Sequence, residues 1–289
     1  TSDNFKLDVV ASDLPNPWAL QFLPSGNFLV TIRGEGLRVV SADGATSTPV
    51  SGTPPIKNAI RLFGMHDVLL DRGFASNRTL YLAFVTTPEG QGLTGYIVSA
   101  KLSADEKTLT DYTVLKQAAG MVPRRIVQAA DGRLFIHTAD IITPYVSVQN
   151  LANPNGKMLR LNPNGSIPGD NPFIANRSAD ASVWAFGFRD PQGMAIHPQT
   201  GAIWTIENEP RGGDEPVLPR GAACRPRGGR PDRAFRCGAP HFAGEPLRRR
   251  GRRLPALLRR HGGDPARFRA DLRPCPPASP EAARERPAS

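Results

Sequence analysis

A short apolar stretch, Trp18–Leu23 (Trp-Ala-Leu-Gln-Phe-Leu), is followed by the turn sequence Pro24–Gly26 and then by a second stretch, Phe28–Thr31 (Phe-Leu-Val-Thr). In the first stretch the large apolar side chains stand at every second position, which is typical of a β-strand with one buried face. Proline, serine and glycine are residues that favour tight turns. These fourteen residues therefore predict two adjacent strands joined by a tight turn.

The same strand–turn–strand sequence pattern recurs three more times along the chain. Its copies begin near residues 18, 67, 125 and 193, so that successive copies lie 49, 58 and 68 residues apart. A four-stranded sheet with a long loop fits this spacing, and repetition of such a sheet is typical of a β-propeller. A β-sandwich also contains strand–turn–strand patterns, although its copies seldom resemble one another so closely in sequence. The sequence therefore predicts an all-β fold of the propeller type.

Charge divides the chain into two parts at residue 215. The whole chain of 289 residues carries a formal charge of +10, but residues 216–289 hold 18 Arg and no Lys against six acidic residues, a net charge of +12. Residues 1–215 carry a net charge of −2 and contain no cysteine. We therefore treat 1–215 as a partial propeller domain and 216–289 as a separate basic segment. No apolar run of about 18 residues occurs, which argues against a membrane-spanning helix.

The basic segment 216–289 has the composition of a disordered chain, because Arg, Pro, Ala and Gly make up 51 of its 74 residues. Three interpretations stay open. The first is an arginine-rich nucleic-acid-binding tail, which the scarcity of aromatic residues disfavours. The second is a metal site formed by Cys224, Cys237 and Cys275, whose spacing matches no common pattern. The third, which we favour, is translation of a GC-rich gene in a shifted reading frame from about codon 216.

Several longer motifs resemble one enzyme family. These are Pro17–Pro24, Gly156–Pro168, Asp170–Phe173, Gly187–Gly193 and Glu207–Glu215. Together they resemble the soluble aldose sugar dehydrogenases that depend on pyrroloquinoline quinone (PQQ), the glucose/sorbosone dehydrogenase family. The resemblance covers about residues 7–215 and implies a six-bladed propeller, of which this part would supply about four blades. It also implies PQQ and Ca²⁺ as cofactors, an aldose oxidised to its lactone, an electron acceptor, and a periplasmic or secreted location. We find no signal-peptide pattern within the given residues, which fits either a mature exported chain or a shortened one.

The resemblance also assigns candidate site residues. Arg189 matches an arginine that contacts the quinone oxygens, and Asp140 matches an aspartate beside the catalytic base. A guanidinium suits the quinone oxygens because its planar fork donates several hydrogen bonds at once. The remaining assignments are cofactor contacts from Gln192 and Asn208, backbone carbonyl ligands of one calcium ion at Glu209 and Pro210, and a side-chain ligand of a second calcium ion at Glu215.

Two positions depart from the family pattern. Met121 stands where the family has its histidine base, and a thioether cannot accept a proton at neutral pH. Leu62 stands where the family has a glutamine near the sugar. We interpret His66, His137 and His197 as structural, because each lies inside a predicted strand or turn. The expected function is therefore PQQ-dependent aldose oxidation that is impaired in this chain, with a non-catalytic ligand-binding propeller as the alternative.

Overall fold

The computed structural model of the chain describes residues 6–57, 63–141 and 148–208, and the backbone of residues 215–217. Leu62, Glu209, Pro210 and the basic segment from residue 218 lie outside the described residues, so the predictions made for them stay predictions. In the described part of the chain no helix is long and apolar enough to cross a membrane.

The described residues form a mainly β structure with a single four-residue helix, α1, at Phe74–Asn77. The first two groups of strands are β1 Pro17–Phe22, β2 Phe28–Ile32, β3 Gly36–Val40, β4 Ser47–Pro49, β5 Met65–Leu70, β6 Thr79–Thr86, β7 Thr94–Leu102 and β8 Leu109–Ala119. The next two groups are β9 Pro123–Gln128, β10 Leu134–Thr138, β11 Lys157–Leu161, β12 Val183–Phe186, β13 Pro191–Ile196, β14 Ile203–Glu207 and β15 Glu215–Val217.

The strands form four antiparallel sheets in which each strand pairs with the next one along the chain. The first three sheets have four strands each, β1–β4, β5–β8 and β9–β12, and the fourth has β13–β15. The first strands begin at residues 17, 65, 123 and 191, within two residues of the four predicted starts. The predicted all-β fold with about four blades is therefore confirmed. The last strand, β15, runs two residues past the predicted boundary at 215.

Glycines in the left-handed backbone region close the first hairpin of three sheets. Gly26, Gly132 and Gly201 have φ angles of 93°, 85° and 69°. Residues with a Cβ atom avoid this region, which glycine enters without steric cost. The second sheet instead uses α1, which ends at Arg78 with a φ of 56°. The turn residues of the repeated pattern therefore specify where the chain reverses direction between the first two strands of each sheet.

Apolar side chains fill the spaces between successive sheets. Strand β6 illustrates the arrangement, because Leu80, Leu82 and Phe84 pack toward the first sheet whereas Tyr81 and Ala83 pack toward the third. Side chains of a strand alternate between its two faces, so one strand can supply two interfaces. A third cluster, formed by Phe135, Met158, Ala185 and Phe188, joins the third sheet to residues next to the fourth.

The first strands of the four sheets are neighbours in space. Strand β5 contacts β1 on one side and β9 on the other, and β9 also contacts β13. Because each sheet is an antiparallel meander that begins with this strand, the residues where β1, β5, β9 and β13 begin are brought together. Arg189, two residues before β13, and Met121, two residues before β9, are therefore held in the same region of the molecule.

Candidate functional site

Each first strand contains one extra residue relative to its partner, directly after the strand begins. The register shifts lie between Pro17 and Leu20 in β1, and around single residues in the other three strands. A bulge of this kind bends a strand and turns a side chain away from the regular alternation, and it is often found next to a functional site. The bulged residues are His66 in β5, Arg124 in β9 and Gln192 in β13, and Trp18 lies inside the shifted segment of β1.

The residues at the bulges of the first three sheets lie close to one another. The ring centroids of Trp18 and His66 are 6.4 Å apart, and Nε2 of His66 is 3.5 Å from Nη1 of Arg124. The other ring nitrogen of His66, Nδ1, is 2.6 Å from the carbonyl oxygen of Pro123, so it donates there and leaves Nε2 to accept from Arg124. The guanidinium of Arg33 stacks on Trp18 at 3.8 Å. The buried imidazole of His66 therefore lies between the Trp18 ring, on which Arg33 stacks, and the guanidinium of Arg124.

A buried ion pair joins the third and fourth sheets. Nη2 of Arg124 is 3.1 Å from Oδ1 of Asp190, and both side chains are almost completely buried. Burial lowers the pKa of Arg124, and the negative charge of Asp190 opposes that change. Nδ2 of Asn208 donates to the other carboxylate oxygen of Asp190 at 3.3 Å. The carboxylate of Asp190 therefore contacts side chains from two sheets.

Arg189 is held by residues at the end of β14. Its backbone N–H donates to Oε1 of Glu207, and its Nη1 donates to the carbonyl oxygen of Asn208 at 2.6 Å. The Arg189 carbonyl oxygen accepts a hydrogen bond of 2.6 Å from the backbone N–H of Asp140. The structure thus brings together Arg189, Asn208 and Asp140, three of the residues that the resemblance assigned to the site.

Asp140 and Lys157 are both fully buried. Nζ of Lys157 donates to the carbonyl oxygens of Val148 and Asn155 at 2.9 and 2.6 Å. Burial lowers the pKa of Lys157 to about 8, while the negative charges of Asp140 and then Asp180 act in the opposite direction. Burial therefore makes the Lys157 amine easier to deprotonate than a lysine in water, and its two hydrogen bonds tie it to the backbone of Val148 and Asn155.

Met121 has no solvent exposure and belongs to the apolar cluster between the second and third sheets. The neighbouring backbone is fixed by Asn155, whose Oδ1 accepts from the N–H of Val122 at 3.0 Å and whose Nδ2 donates to the Gly120 carbonyl oxygen at 2.7 Å. The residue in the position of the family's base is therefore a core side chain, and its environment contains Tyr81 and Ile136 from the same cluster.

The three histidines considered from the sequence lie in different environments. His137 is fully buried against the Phe188 ring, with ring centroids 4.6 Å apart, and burial lowers its pKa to about 3. His197 lies in the turn after β13, where Nδ1 accepts from the N–H groups of Gln199 and Thr200. His66 is buried in a strand as expected, but its bulge places it beside Arg124.

Gln192 and the calcium candidates complete the comparison with the predicted site. Gln192 is half-buried, and its backbone carbonyl oxygen accepts a hydrogen bond from Nε of Arg125 at 2.8 Å. Glu215 begins β15 and pairs with Glu207, although its side chain lies outside what the structure describes. Among the described residues no group of three or more His, Cys, Asp or Glu side chains is placed to hold a metal ion.

Sequence reasoning missed His66, Arg124, Asp190 and Glu207 as parts of this region. A signal for two of them was present in the repeats. Placing the four strand starts in one column puts Trp18, His66, Arg124 and Gln192 at the second position of β1, β5, β9 and β13. The contacts of Asp190 and Glu207 depend on chain segments far apart in sequence, and no local pattern reveals them.

Comparisons with known proteins agree with this fold. The model of the glucose/sorbosone dehydrogenase family matches residues 14–222. Aldose sugar dehydrogenase YliI of Escherichia coli is 37% identical over 222 residues, which are 74% of this chain and 59% of the relative. The crystal structure of the soluble aldose sugar dehydrogenase of Escherichia coli in its apo form superimposes with a TM-score of 0.69 and 34% identity, covering 74% of this chain and 63% of that one.

A more distant structure shows the fold alone. The PQQ-bound form of an aldose sugar dehydrogenase from Streptomyces coelicolor has a TM-score of 0.62 at 22% identity, covering 74% of this chain and 63% of that one. The chain spans between half and three fifths of the length of the curated relatives it matches. With its repeated four-stranded sheets and the family match over residues 14–222, this chain belongs to the glucose/sorbosone dehydrogenase family.

Proposed function

We propose that this chain binds PQQ and an aldose in the manner of the PQQ-dependent aldose dehydrogenases, and that it removes the anomeric hydroxyl proton poorly. The observation that supports this proposal is that hydrogen-bonded polar residues and a buried apolar residue occupy the positions where the family has its cofactor contacts and its base. Arg189 is hydrogen-bonded to both Asn208 and Asp140. Met121, at the base position, is instead buried in the apolar core.

The residues present fit PQQ as a ligand. PQQ carries three carboxylates and two adjacent quinone oxygens, so it needs hydrogen-bond donors and positive charge. The region holds the guanidinium of Arg189 just before β13, the side-chain amide of Gln192 in β13 and that of Asn208 just after β14. Arginine forks and side-chain amides are donors that suit carboxylate and carbonyl oxygens. We therefore propose that Arg189, Gln192 and Asn208 hold the cofactor.

When bound, PQQ supplies a quinone carbon that accepts hydride from the anomeric carbon of the sugar, and the chain's own residues do the positioning. Arg189 would stabilise negative charge on the quinone oxygens, because a guanidinium is a planar cation that donates several hydrogen bonds at once. The proton of the anomeric hydroxyl needs a base, and the thioether of Met121 cannot provide one. Loss of a positioned general base typically lowers the rate about 10² to 10⁴-fold.

The family resemblance extends the proposal to calcium and to location. We propose that Ca²⁺ is held at Glu209 and Pro210 through backbone carbonyl oxygens, and at Glu215 through its side chain. Hard oxygen ligands of this kind are those that Ca²⁺ prefers. By the same resemblance we propose a periplasmic or secreted protein that passes electrons from an aldose to an external acceptor.

A dye-linked aldose oxidation assay with added PQQ and Ca²⁺ tests this function on the full chain. We expect saturable PQQ binding with slow turnover, and faster turnover in Met121→His. The matched control is Met65→His, because Met65 is an equally buried methionine in the cluster between the first and second sheets. A wild-type chain that binds no PQQ would contradict the proposal. Binding without turnover in both wild type and Met121→His would favour the non-catalytic propeller instead.

A further inference from the structure

Asp190 connects the third and fourth sheets through its carboxylate. It directly follows Arg189, at the start of β13. Its Oδ1 is 3.1 Å from Nη2 of Arg124 in β9, and its Oδ2 accepts from Nδ2 of Asn208, which follows β14. A carboxylate with a cation on one oxygen and an amide on the other has little rotational freedom. The orientation of Asp190 is therefore determined by residues from two sheets.

Asn208 transmits this orientation to Arg189. Its backbone N–H donates to the Asp190 carbonyl oxygen at 3.0 Å, and its side chain donates to the Asp190 carboxylate. Asn208 is thus tied to Asp190 by main chain and side chain together. Its remaining backbone acceptor, the carbonyl oxygen, receives Nη1 of Arg189 at 2.6 Å. The direction of the Arg189 guanidinium therefore depends on where Asp190 holds Asn208.

Arg124 reaches Asp190 because of the bulge in β9. In a regular antiparallel strand its side chain would follow the alternation set by Arg125 and Ile126, but the extra residue breaks that alternation. Burying an ion pair costs desolvation energy that its attraction often fails to recover, so such a pair is weak support for stability alone. A role in fixing geometry explains better why both charges are buried here.

We propose that Arg124 is a positioning residue for Arg189. It fixes the carboxylate of Asp190, which fixes Asn208, whose carbonyl oxygen orients the Arg189 guanidinium. Arg124, in the strand that follows Met121, thus orients Arg189, the proposed cofactor-binding arginine of the next sheet. What Arg189 contacts rests on the proposed function, whereas the chain of contacts from Arg124 to Arg189 does not.

The first experiment is a double-mutant cycle on PQQ binding, measured by fluorescence titration of the full chain. Arg124→Gln should weaken binding about tenfold, the usual scale for loss of one charge-assisted contact. In an Arg189→Lys background the same substitution should change Kd by less than about twofold, because the two residues act through one path. An equal effect of Arg124→Gln in both backgrounds would overturn the proposal.

Lys116→Gln is the matched control for loss of an inter-sheet ion pair. Nζ of Lys116 in β8 is 2.8 Å from Oδ2 of Asp180, which precedes β12, so this pair also joins two sheets. Its removal should lower stability and leave Kd for PQQ within about twofold of wild type. A tenfold loss of PQQ binding in Lys116→Gln would show that any broken inter-sheet pair has this effect, and the proposal would fail.

A second readout needs no cofactor. Relaxation of the ¹⁵N-labelled Nε–Hε group of Arg189 in the cofactor-free protein reports how firmly its guanidinium is held. We expect a lower order parameter in Arg124→Gln and a value near wild type in Arg124→Lys, which keeps one charged contact to Asp190. Unchanged order in Arg124→Gln would refute the positioning role even if PQQ binds. Should Arg124→Gln fail to fold, Asp190→Asn supplies the same comparison. If wild type binds no PQQ, this measurement still decides the inference.

Discussion

Asp67 and Arg125 form a salt bridge of 3.2 Å between β5 and β9, and the second carboxylate oxygen of Asp67 accepts the backbone N–H of Ile126 at 2.8 Å. One buried carboxylate therefore holds the first strands of two successive sheets. Arg125 also donates from Nε to the carbonyl oxygen of Gln192 in β13. Three of the four first strands are thus connected through the side chain of Arg125.

Titration of Asp67 should contribute to the way the free energy of unfolding changes with pH. Burial raises its pKa to about 6, with Arg125 opposing that change. Since the folded state then binds the proton more tightly than the unfolded state, the free energy of unfolding should fall as pH rises from about 4 to about 6. In Asp67→Asn this fall should disappear. Urea denaturation of both proteins at pH 4.5 and 6.5 measures the difference, and parallel pH profiles would contradict the assignment.

The core role of Met121 predicts a size-dependent loss of stability. Met121→Ala should lower the free energy of unfolding by about 2–5 kcal/mol, because it leaves a cavity between the second and third sheets. Met121→Leu nearly conserves volume and should cost less than about 1.5 kcal/mol. Chemical denaturation provides both values. Equal losses in the two variants would show that the thioether has a role other than filling space.

Gly64 should tolerate no side chain. It precedes β5 with a φ of 124°, and a Cβ atom there would lie 1.9 Å from the carbonyl oxygen of Arg33. Gly64→Ala should therefore cost well over about 1 kcal/mol, since both the φ angle and the contact are unfavourable. Gly90→Ala is the control, because Gly90 has a φ of 70° and no atom within 4 Å of the added Cβ. Thermal melts showing similar losses would rule out the steric contact as the cause.

The Tyr81 hydroxyl group should contribute to stability through a single hydrogen bond. It donates to Oδ2 of Asp71 at 2.8 Å, and Gln128 in the third sheet donates to the same oxygen. Tyr81→Phe should cost about 1.5–3 kcal/mol, the range for a hydrogen bond to a charged group. The same substitution in an Asp71→Asn background should cost less. Additive losses in this double-mutant cycle would mean that the two side chains are not coupled.

The sequence predicted the sheets well because each begins with a local signal. The alternation of Trp18, Leu20 and Phe22 and the turn glycine Gly26 need no distant partner to be recognised. The bulges could not be predicted in this way, since an extra residue is defined only against the register of the paired strand. His66 was accordingly expected to be an ordinary strand residue, and its contact with Arg124 was missed.

The site residues proposed from the sequence rest on the family resemblance alone. Arg189, Asn208 and Asp140 came from the family resemblance, and the structure brings them into contact. The ion pair of Arg124 with Asp190 joins residues 66 positions apart on different sheets. Its formation depends on how those sheets pack, which composition and periodicity do not report.

The alternating packing of β6 has a consequence for how the protein opens. Both faces of β6 are covered, by the first sheet on one side and the third on the other, so its amide hydrogens should exchange only when two interfaces separate. Strand β14 of the fourth sheet has Ile206 about half exposed and should exchange earlier. Hydrogen exchange is therefore expected to rise from the second sheet toward the fourth, so that the sheet bearing Arg189 at its start opens before the second sheet does.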